Sequence, residues 1–491
     1  MSLICASLIE SEINKMINYA KLAERKGAQI IELRLDKLKN ISGATISKLR
    51  KEIALPIIAT IRPFYEGGEF KKSENLRLEL IKKIIENSYD YLDVELRAAR
   101  KYRAILEYAK KHSVKTIISY HDFTKTPAKE EIYSYINECS KLGDISKVAF
   151  RAKSATDNFK ILEASVKAKE AGLKYIAIGM GKIGMLTRIL APVLNQHIIY
   201  TAIEVGKEAA EGQIAISSLP HINSETRICG LVGKNIAHSL SPALHNEAFV
   251  ALNLNFRYLL FDITEKNLPR LFKILKALNF RGVNVTSPFK ETVIQYLDRV
   301  DQLASKIKAV NTILNEKNEL VGYNTDYYGA SEALKRAGIK LANANTLLLG
   351  AGGAARAVAY LLSQNNAKVT IASRTLRRAE IIANDFNIDY VGLSNLKNLN
   401  RGFELIINAT PVYNKLIIPE RFVKRDTTVF ELVYPLETKL TRTAILKGAK
   451  VINGLEMLLC QGVKAFELFT NRKAPVKIMK KALGKRKILR K

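Results

Sequence analysis

The sequence predicts an α/β protein with an N-terminal (β/α)8 barrel, followed by a two-lobed α/β unit whose second lobe is of the Rossmann type. Three observations lead to this fold class. Short β-rich runs alternate with amphipathic stretches over the first 220 residues, a polar segment then interrupts this rhythm, and a glycine-rich turn follows a fresh apolar strand in the second half. Alternating strands and helices are typical of parallel sheets built from βαβ units.

Eight strand candidates account for the barrel. Helical patterns such as INKMINYAKLAERKGA and NLRLELIKKIIENS separate them, and eight such strands in about 200 residues fit a (β/α)8 barrel. In this architecture the carboxyl ends of the strands carry the functional residues. The strand candidates are LICASL, IIELRLD, PIIATIR, YLDVEL, KTIISYHDF, KVAFRA, KYIAIGM and HIIYTAIE.

The stretch SSLPHINSETR predicts a domain boundary between Ser218 and Thr226, because Pro and Ser punctuate it and the strand pattern restarts after it. Strands RICGLVG, FRYLLFD, GVNVTSP and AVNTIL follow, and TLLLGAGGAARA opens another α/β unit. We therefore expect a barrel over residues 1–220, a first lobe over 226–335, and a second lobe over 336–491. The last helices of the second lobe are expected to return to the first lobe.

Charge and composition narrow the classes of function. The chain has 78 Lys and Arg against 47 Asp and Glu, a net charge of +31. Such an excess can indicate nucleic-acid binding. Here the basic residues are spread along the chain without aromatic-interleaved stripes, so we expect no nucleic-acid partner and a surface that favours anionic small molecules.

Other features of the composition concern location and metals. The apolar runs are too short to cross a bilayer, so we expect no membrane association, and MSLICASLIE is typical of a strand rather than a secretory signal. We therefore expect a cytoplasmic location. The four cysteines are widely spaced, which predicts neither a disulfide framework nor a metal site. The sequence does not determine the oligomeric state.

Charged and polar residues cluster at the predicted carboxyl ends of the barrel strands. Three arginines and a histidine on one face favour an anionic ligand, and a lysine among them supplies a nucleophilic amine. Each residue alone is as well explained by a structural ion pair, so the prediction rests on the set. Its members are Glu32, Arg34, Arg62, Glu66, Asp93, Glu95, His121, Asp122, Lys147 and Arg188.

These residues lie in motifs that resemble the type I 3-dehydroquinate dehydratases over about the first 215 residues: ELR, R-x-x-x-E-G-G, SYHDF, the lysine of SKVAF, M-x-x-x-x-x-x-x-R and the closing EGQ. The resemblance implies that Lys147 forms an imine with a substrate ketone, that His121 transfers protons, and that Glu66 orients the histidine. The imine would acidify the adjacent C–H bond, and neighbouring cations would keep the lysine neutral. The substrate contacts implied are Glu32, Arg34, Arg62, Arg188 and Gln213.

Two details depart from this family pattern. Lys147 stands at the start of its predicted strand, KVAFRA, whereas functional residues of a barrel are expected near the carboxyl end. The closing loop has Ala209 and Glu211 where the family has the serine and proline of S-A-P-G-Q. A hydroxyl is therefore missing and a carboxylate is added near an anionic ligand. We expect Ala209→Ser combined with Glu211→Pro to lower the dehydratase KM several-fold.

The second half carries a dinucleotide-binding fingerprint. TLLLGAGGAARA is a G-x-G-x-x-A turn between an apolar strand and a helix, a context in which the backbone can approach a pyrophosphate. The next strand, KVTIASRTLRRAE, has Arg374 where an NAD enzyme carries a carboxylate, which favours NADP. The candidate cofactor-binding residues are Gly350, Gly352, Gly353, Ala354, Ser373, Arg374, Thr375, Arg378 and Gly454.

From about Arg227 onward, many separated motifs resemble shikimate dehydrogenase: AHSLSPALHN, GVNVTSPFK, AVNT, GYNTDYYGA, NATP, ELVY and GLEMLLCQG. The resemblance implies that Lys290 and Asp326 are a catalytic pair, in which the lysine gives a proton to the alkoxide that forms on ketone reduction. The remaining contacts implied, all to the substrate, are Ser239, Ser241, Thr286, Asn311, Tyr434 and Gln461.

The two resemblances agree with each other, because the product expected of the barrel, 3-dehydroshikimate, is the substrate expected of the two-lobed NADP-dependent dehydrogenase. One alternative is a dehydrogenase half that prefers quinate and NAD. Another is a basic nucleic-acid-binding protein built on degenerate enzyme domains. The second alternative requires missing catalytic groups, whereas Lys147, His121, Lys290 and Asp326 are all present.

Overall fold

The computed structural model describes residues 2–219, 221–278, 280–434 and 437–485. The chain divides into two compact units, Met1–Thr226 and Arg227–Lys491. The division falls at the C-terminal edge of the boundary expected between Ser218 and Thr226. Among the described helices, none combines the length and the apolar character needed to cross a membrane.

The first unit alternates strands and helices in the expected order. Its elements are β1 (Leu3–Leu8), α1 (Ile13–Arg25), β2 (Ile30–Arg34), α2 (Gly43–Glu52), β3 (Ile57–Thr60), α3 (Glu74–Glu86), β4 (Tyr91–Glu95), α4 (Leu96–Lys101), α5 (Arg103–Lys111), β5 (Lys115–Asp122), α6 (Lys129–Leu142), β6 (Ile145–Arg151), α7 (Ala155–Glu170), β7 (Tyr175–Met180), α8 (Met185–Ile189), β8 (Ile198–Ala202) and β9 (Ile214–Ala215). All eight predicted barrel strands are present, and the predicted barrel class is confirmed.

Parallel ladders join the strands in the order β7-β6-β5-β4-β3-β2-β1-β8-β9. Within the described residues no ladder joins β7 to β8, and two other contacts close the ring there. The His197 N–H donates to the Tyr175 carbonyl oxygen at 2.9 Å. The Gln196 amide accepts from the Ala177 N–H at 2.9 Å and donates to the Ala177 carbonyl oxygen at 3.2 Å. At this junction the buried Gln196 side chain therefore makes the backbone hydrogen bonds that a neighbouring strand makes elsewhere in the barrel.

The position of Lys147 within its strand corrects the sequence-based boundary. Strand β6 begins at Ile145, so Lys147 is its third residue rather than its first. The two preceding residues are buried, and the Ser146 hydroxyl donates to the Ile136 carbonyl oxygen of α6 at 2.8 Å. That bond is a tertiary contact and leaves no local signal in the sequence. The lysine still lies in the lower half of the strand, and its long side chain carries the amine upward.

The second unit contains twelve strands and nine helices among its described residues. They are β10 (Arg227–Gly233), α9 (Ser241–Ala251), β11 (Phe256–Asp262), α10 (Leu268–Ala277), β12 (Phe280–Val285), β13 (Arg299–Val300), α11 (Gln302–Ile307), β14 (Thr312–Glu316), β15 (Glu319–Tyr323), α12 (Thr325–Arg336), β16 (Asn345–Leu349), α13 (Gly353–Gln364), β17 (Lys368–Ser373), α14 (Leu376–Phe386), β18 (Asp389–Gly392), β19 (Leu405–Asn408), β20 (Thr428–Glu431), α15 (Lys439–Leu446), β21 (Lys450–Ile452), α16 (Gly454–Thr470) and α17 (Val476–Lys485).

Two six-stranded sheets define the two lobes. The first lobe has the order β11-β10-β12-β14-β15-β13, in which β14 pairs antiparallel with both β12 and β15. The second lobe has the order β18-β17-β16-β19-β20-β21 with parallel pairing throughout, as a Rossmann-type domain requires. The predicted two-lobed α/β class is confirmed.

The C-terminal helices pack against elements of the first lobe. Leu458 and Phe466 of α16 and Met479 of α17 share a buried cluster with Leu244 of α9. Helix α16 also crosses α12 at Gly329, where a Cβ atom would lie 2.7 Å from the Cβ of Gln461. In the sequence, the second lobe is therefore preceded and followed by segments that pack together in the first lobe.

The same cluster encloses a histidine. The His245 ring is fully buried, stacks on the Tyr258 ring at a centroid distance of 4.4 Å, and has neither ring nitrogen bonded within the described residues. Burial alone lowers the pKa of His245 to about 3. The ring is therefore an uncharged member of an apolar core and not a ligand-binding group.

Candidate active sites

One pocket at the carboxyl ends of the barrel strands brings together the predicted barrel residues. It is lined by strands from around the ring and by the loop that follows β8. The structure assigns no roles, but it places every one of these side chains at the same cavity. Those residues are Glu32, Arg34, Arg62, Glu66, His121, Lys147, Arg188 and Gln213.

Lys147 is held by carboxylates rather than surrounded by cations alone. Its Nζ atom lies 2.9 Å from Asp93 Oδ2 and 3.4 Å from Glu32 Oε1, and 4.1 Å from the centroid of the Tyr200 ring. The nearest charged groups of this amine are therefore carboxylates rather than the cations that the sequence suggested. Together with the aromatic face of Tyr200, the two carboxylates hold the amine in place in the pocket.

The Glu32 carboxylate is fixed from two other sides. It accepts hydrogen bonds from the Ser7 hydroxyl at 2.7 Å and from the Thr60 hydroxyl at 3.1 Å. Burial opposes its ionisation, but Lys147 and Arg34 outweigh burial and lower the pKa of Glu32. The carboxylate is therefore charged and rigid beside the amine.

Two of the predicted arginines are occupied by protein carboxylates. Arg62, buried at 4% exposure, donates to Asp93 and to Glu95 at 2.7 Å each. Arg34 makes a two-pronged contact with Asp36 at 2.9 and 3.0 Å. These guanidinium groups fix the carboxylates around the pocket and have less capacity left for a ligand than the sequence suggested.

Arg188 differs from both. It is 5% exposed, and its Nε atom has no hydrogen-bond partner within the described residues. Its Nη1 atom reaches only the Tyr200 carbonyl oxygen, at 3.4 Å. Burial without a paired carboxylate lowers the pKa of Arg188 to about 10. A buried, unpaired cation is costly, so this position is suited to an anionic ligand such as a carboxylate.

His121 and Glu66 form a pair at the pocket wall. The His121 Nδ1 atom lies 3.3 Å from Glu66 Oε2. Burial, Arg62 and Lys147 lower the pKa of His121 well below its usual value, so the imidazole is neutral and can accept a proton. Burial, with help from Glu95, raises the pKa of Glu66 to about 8. The contact fixes the ring orientation.

The closing loop is held on two sides. The Ala209 N–H donates to Gln213 Oε1 at 2.7 Å, and Gln213 Nε2 donates to the Ser7 hydroxyl at 3.3 Å. Glu211 does not line the pocket. Its carboxylate pairs with Arg151 at 2.6 Å, so it does not stand near a bound anion as the sequence suggested.

In the second unit, Lys290 and Asp326 form one network with Asn311. Lys290 Nζ lies 2.5 Å from Asp326 Oδ2, and Asn311 Nδ2 donates to Asp326 Oδ1 at 2.9 Å. Asn311 Oδ1 accepts from the Thr325 N–H at 2.6 Å. The network joins the loop after β12 to the first turn of α12, so the pairing expected from the motifs is also a spatial contact.

Gln461 joins this network from the C-terminal helix. The Thr325 hydroxyl lies 3.5 Å from Gln461 Oε1, a contact that the close crossing at Gly329 allows. Thr286 lies at the end of β12, and its N–H donates to the Val232 carbonyl oxygen at 2.9 Å.

A group of hydroxyls lies beside the same network. The Ser239 hydroxyl lies 3.2 Å from that of Ser241. Burial raises the pKa of Tyr434 to about 12, while a hydrogen bond with Ser239 acts in the opposite direction and Asp326 adds to the rise. These neutral donors and acceptors suit a polyhydroxylated ligand.

The dinucleotide fingerprint has the backbone that the motif predicts. Gly350 follows β16 with φ +105°, and a Cβ atom there would lie 2.9 Å from the Ala409 carbonyl oxygen. Gly352 precedes α13, and a Cβ atom there would meet nothing within 4 Å. Ala354 follows in the first turn of α13. Open space at a helix N-terminus fits a pyrophosphate.

Two other predicted glycines have packing reasons for their identity. A Cβ atom on Gly353 would lie 2.6 Å from the Lys290 Cβ, so only glycine lets this lysine approach α13. A Cβ atom on Gly454 would lie 2.5 Å from the Val433 carbonyl oxygen, because α16 begins against that segment. Gly353 therefore links the fingerprint to the catalytic lysine, and Gly454 sets where α16 starts.

The end of β17 is basic. Ser373 is buried, and its hydroxyl accepts from the Thr375 N–H at 3.3 Å. Arg374 is exposed, and no carboxylate occupies its position. Arg378, in the first turn of α14, pairs with Glu291 at 2.9 Å. The residues fit a 2′-phosphate at Arg374, whereas Arg378 is already paired in this state. Within the described part of the chain no group of His, Cys, Asp and Glu could hold a metal ion.

Sequence reasoning missed several residues in and around the pocket. Asp93 was noticed only as a strand-end residue, although it makes the shortest contact with Lys147. Ser7 and Tyr200 were absent from the prediction because each looks like ordinary barrel interior. Their alternation along β1 and β8, which turns every second side chain inward, was the signal that could have found them.

Family models cover most of the chain. Type I 3-dehydroquinase matches residues 4–225, and the shikimate dehydrogenase substrate-binding domain matches 231–313. Shikimate/quinate 5-dehydrogenase matches residues 331–431, and the shikimate 5′-dehydrogenase C-terminal domain matches 454–483. The order of these matches is the order of the two units.

Named relatives agree with these matches. A shikimate dehydrogenase (NADP+) from Carboxydothermus hydrogenoformans is 44% identical over 54% of this chain and 98% of its own. A crystal structure of shikimate dehydrogenase in complex with NADP+ has a TM-score of 0.51 and 38% identity, covering 54% of this chain and 97% of its own. The chloroplastic bifunctional 3-dehydroquinate dehydratase/shikimate dehydrogenase of Arabidopsis thaliana is 32% identical over 99% of this chain and 84% of its own. The chain therefore belongs to the family of bifunctional 3-dehydroquinate dehydratase/shikimate dehydrogenases.

Proposed function

We propose that this protein dehydrates 3-dehydroquinate to 3-dehydroshikimate in the barrel and then reduces 3-dehydroshikimate to shikimate with NADPH in the second unit. The observation that carries the proposal is the barrel pocket. A lysine, a neutral histidine and an unpaired buried arginine line the same cavity there. The product of this reaction is the substrate expected of the second site.

Lys147 is the nucleophile in the dehydration. Its amine forms a carbon–nitrogen bond with the substrate ketone, and the ketone oxygen leaves as water. The resulting iminium withdraws electrons and acidifies the adjacent C–H bond. The neutral His121 imidazole takes that proton and returns one to the hydroxyl that leaves from the next carbon. Water then hydrolyses the imine and frees the lysine.

Arg188 binds the substrate carboxylate. Its buried Nε atom has no hydrogen-bond partner among the described residues, whereas Arg34 and Arg62 are paired with protein carboxylates. Gln213, held by the closing loop and by Ser7, supplies amide contacts to substrate hydroxyls.

Lys290 is the proton donor in the reduction. The N-terminus of α13 and Arg374 would hold NADPH, which would supply the hydride when bound. Lys290 gives its proton to the oxygen of the ketone as that oxygen gains negative charge, and Asp326 holds the ammonium group in place. Asn311 fixes the other oxygen of Asp326. Ser239, with Ser241 and Tyr434, binds the ring substituents of the substrate.

A coupled assay tests both steps at once. Purified protein given 3-dehydroquinate should consume NADPH and release shikimate. Lys147→Ala should abolish this flux but leave the reduction of added 3-dehydroshikimate intact. Lys290→Ala should abolish the reduction and leave the formation of 3-dehydroshikimate from 3-dehydroquinate intact. Chelators should leave the dehydration unchanged. Loss of both activities in either single variant would contradict the assignment of one reaction to each unit.

A second assay, the oxidation of shikimate with NADP+ compared with the oxidation of quinate with NAD+, decides between shikimate with NADP and the alternative of quinate with NAD. The basic end of β17 supports NADP. Arg374 stands at the position where an NAD enzyme has an acidic residue that binds the ribose hydroxyl. Faster oxidation of quinate with NAD+ than of shikimate with NADP+ would overturn this part of the proposal. The cytoplasmic location and the absence of a nucleic-acid partner stay predictions from the sequence.

A further inference from the structure

Tyr200 is a pocket residue that none of the motifs singled out. It lies on β8 opposite Cys5 of β1, so its side chain belongs to the inner layer of the barrel. It is 4% exposed and lines the same pocket as Lys147 and Arg188. Its place is therefore next to the reacting groups rather than in the outer core.

The ring and the hydroxyl of Tyr200 have different surroundings. The ring face lies under the Lys147 ammonium group, with 4.1 Å between Nζ and the ring centroid. The hydroxyl is buried and makes no hydrogen bond within the described residues. A buried hydroxyl without a hydrogen-bond partner is destabilising, so a ligand that supplies the partner is favoured. Burial, Glu32 and Cys5 raise the pKa of Tyr200 well above its usual value, so the phenol stays protonated and can donate.

The other hydroxyl donors around the lysine are already committed. Ser7 and Thr60 both donate to Glu32. A ketone oxygen placed at Lys147 thus has few neutral donors to meet, and the Tyr200 hydroxyl is one that the described residues leave unused.

We propose that the Tyr200 hydroxyl binds the ketone oxygen of the dehydratase substrate and stabilises the negative charge that develops on it as Lys147 attacks. This deepens the proposed dehydratase function and rests on it. The amine nitrogen forms a bond to the carbonyl carbon, and the C=O π electrons move to oxygen. The carbon–oxygen bond then breaks and water leaves. The two protons in that water are the two that the lysine ammonium gives up, and Tyr200 donates a hydrogen bond without being consumed.

Tyr200→Phe tests the proposal, because it removes the hydroxyl and keeps the ring under the ammonium group. We expect dehydratase kcat to fall by about tenfold or more, as for loss of one donor to a developing oxyanion. Imine formation should slow by a similar factor, measured as the rate at which borohydride attaches 3-dehydroshikimate to Lys147. KM and the dehydrogenase activity of the same protein should change little.

Tyr175→Phe is the matched control. Tyr175 is a fully buried barrel tyrosine whose hydroxyl donates to the Leu194 carbonyl oxygen at 2.8 Å, and it does not line the pocket. Its loss should affect stability and not the rate of imine formation. A Tyr200→Phe variant with wild-type kcat and trapping rate would overturn the proposal. If Tyr200→Phe has wild-type kcat and trapping rate but Tyr200→Leu is slow in both, the ring rather than the hydroxyl is responsible. This result would also overturn the proposal.

Failure of the underlying function is distinguishable from failure of this proposal. If wild-type protein gives no borohydride adduct at all, or if the adduct forms on a lysine other than Lys147, the imine mechanism itself is wrong. If the adduct forms on Lys147 at the same rate with and without the Tyr200 hydroxyl, the mechanism stands and the role of Tyr200 falls.

Discussion

Ala209→Ser should lower the dehydratase KM. Ala209 lines the pocket, and its N–H already holds Gln213 in place, so a hydroxyl added here lies beside the substrate without altering the loop. One added hydrogen bond contributes about 0.5–1.5 kcal/mol net, which corresponds to a KM lower by roughly two- to twelvefold. Glu211 is unchanged in this variant, so the loop keeps its ion pair with Arg151.

The double variant expected from the sequence, Ala209→Ser with Glu211→Pro, now has a different expectation. Proline removes the carboxylate that pairs with Arg151, so part of the gain should be lost, by less than about fivefold because an exposed ion pair contributes little. Glu211→Gln alone should raise KM slightly and reduce its dependence on salt.

Steady-state kinetics of both reactions at two salt concentrations separate these effects, with dehydrogenase activity as the internal control. An unchanged KM for Ala209→Ser would refute the reasoning and would show that the loop binds substrate through Gln213 and backbone groups alone.

Four further predictions concern the second unit. Arg374→Ala should weaken NADPH binding far more than NADH binding, by roughly 1–3 kcal/mol for a lost charged hydrogen bond; equal losses in fluorescence titrations would leave Arg374 only a structural role. Glu291→Gln should tighten NADPH binding and leave NADH binding unchanged, because it frees Arg378 for the 2′-phosphate; unchanged titrations with both cofactors would remove Arg378 from the cofactor site. Lys290→Ala should lower turnover far more than it changes the Kd of NADPH, and a matching loss in both would point to a binding role. Stability should fall as the pH drops from 6.5 towards 3, because His245 is neutral when folded and takes up a proton on unfolding. The loss is about 2 kcal/mol between pH 7 and pH 5, and urea titrations of His245→Phe should show a pH dependence reduced by that amount, whereas a variant of the exposed His238 should not.

The fold could be predicted where hydrophobic periodicity is strong. RICGLVG and FRYLLFD coincide with β10 and β11, whose paired residues run in register along their full length. The short strand β9 was not predicted, because its two residues become a strand only by pairing with Thr201 and Ala202 of β8. The local sequence of a two-residue strand does not indicate which strand it will pair with.

The sequence predicted which residues meet at the barrel pocket, but it did not predict which of them pair with each other. Motif spacing brought eight side chains to one pocket, but it could not show that Arg62 is held by Asp93 and Glu95. Which carboxylate meets which cation depends on the register of neighbouring strands, because one step along a strand turns a side chain to the other face. The expectation about the charges around Lys147 failed for this reason.

The junction between β7 and β8 has a consequence for the kinetics of the barrel. Around the barrel, seven pairs of neighbouring strands are joined by continuous ladders. The pair β7 and β8 is joined instead by the Gln196 side chain and by the His197 backbone amide. A side-chain amide can rotate away in one step, but a ladder must open bond by bond. The Ala177 amide should therefore exchange its hydrogen with solvent sooner than amides at the other junctions, and this seam is where the barrel would first open under load.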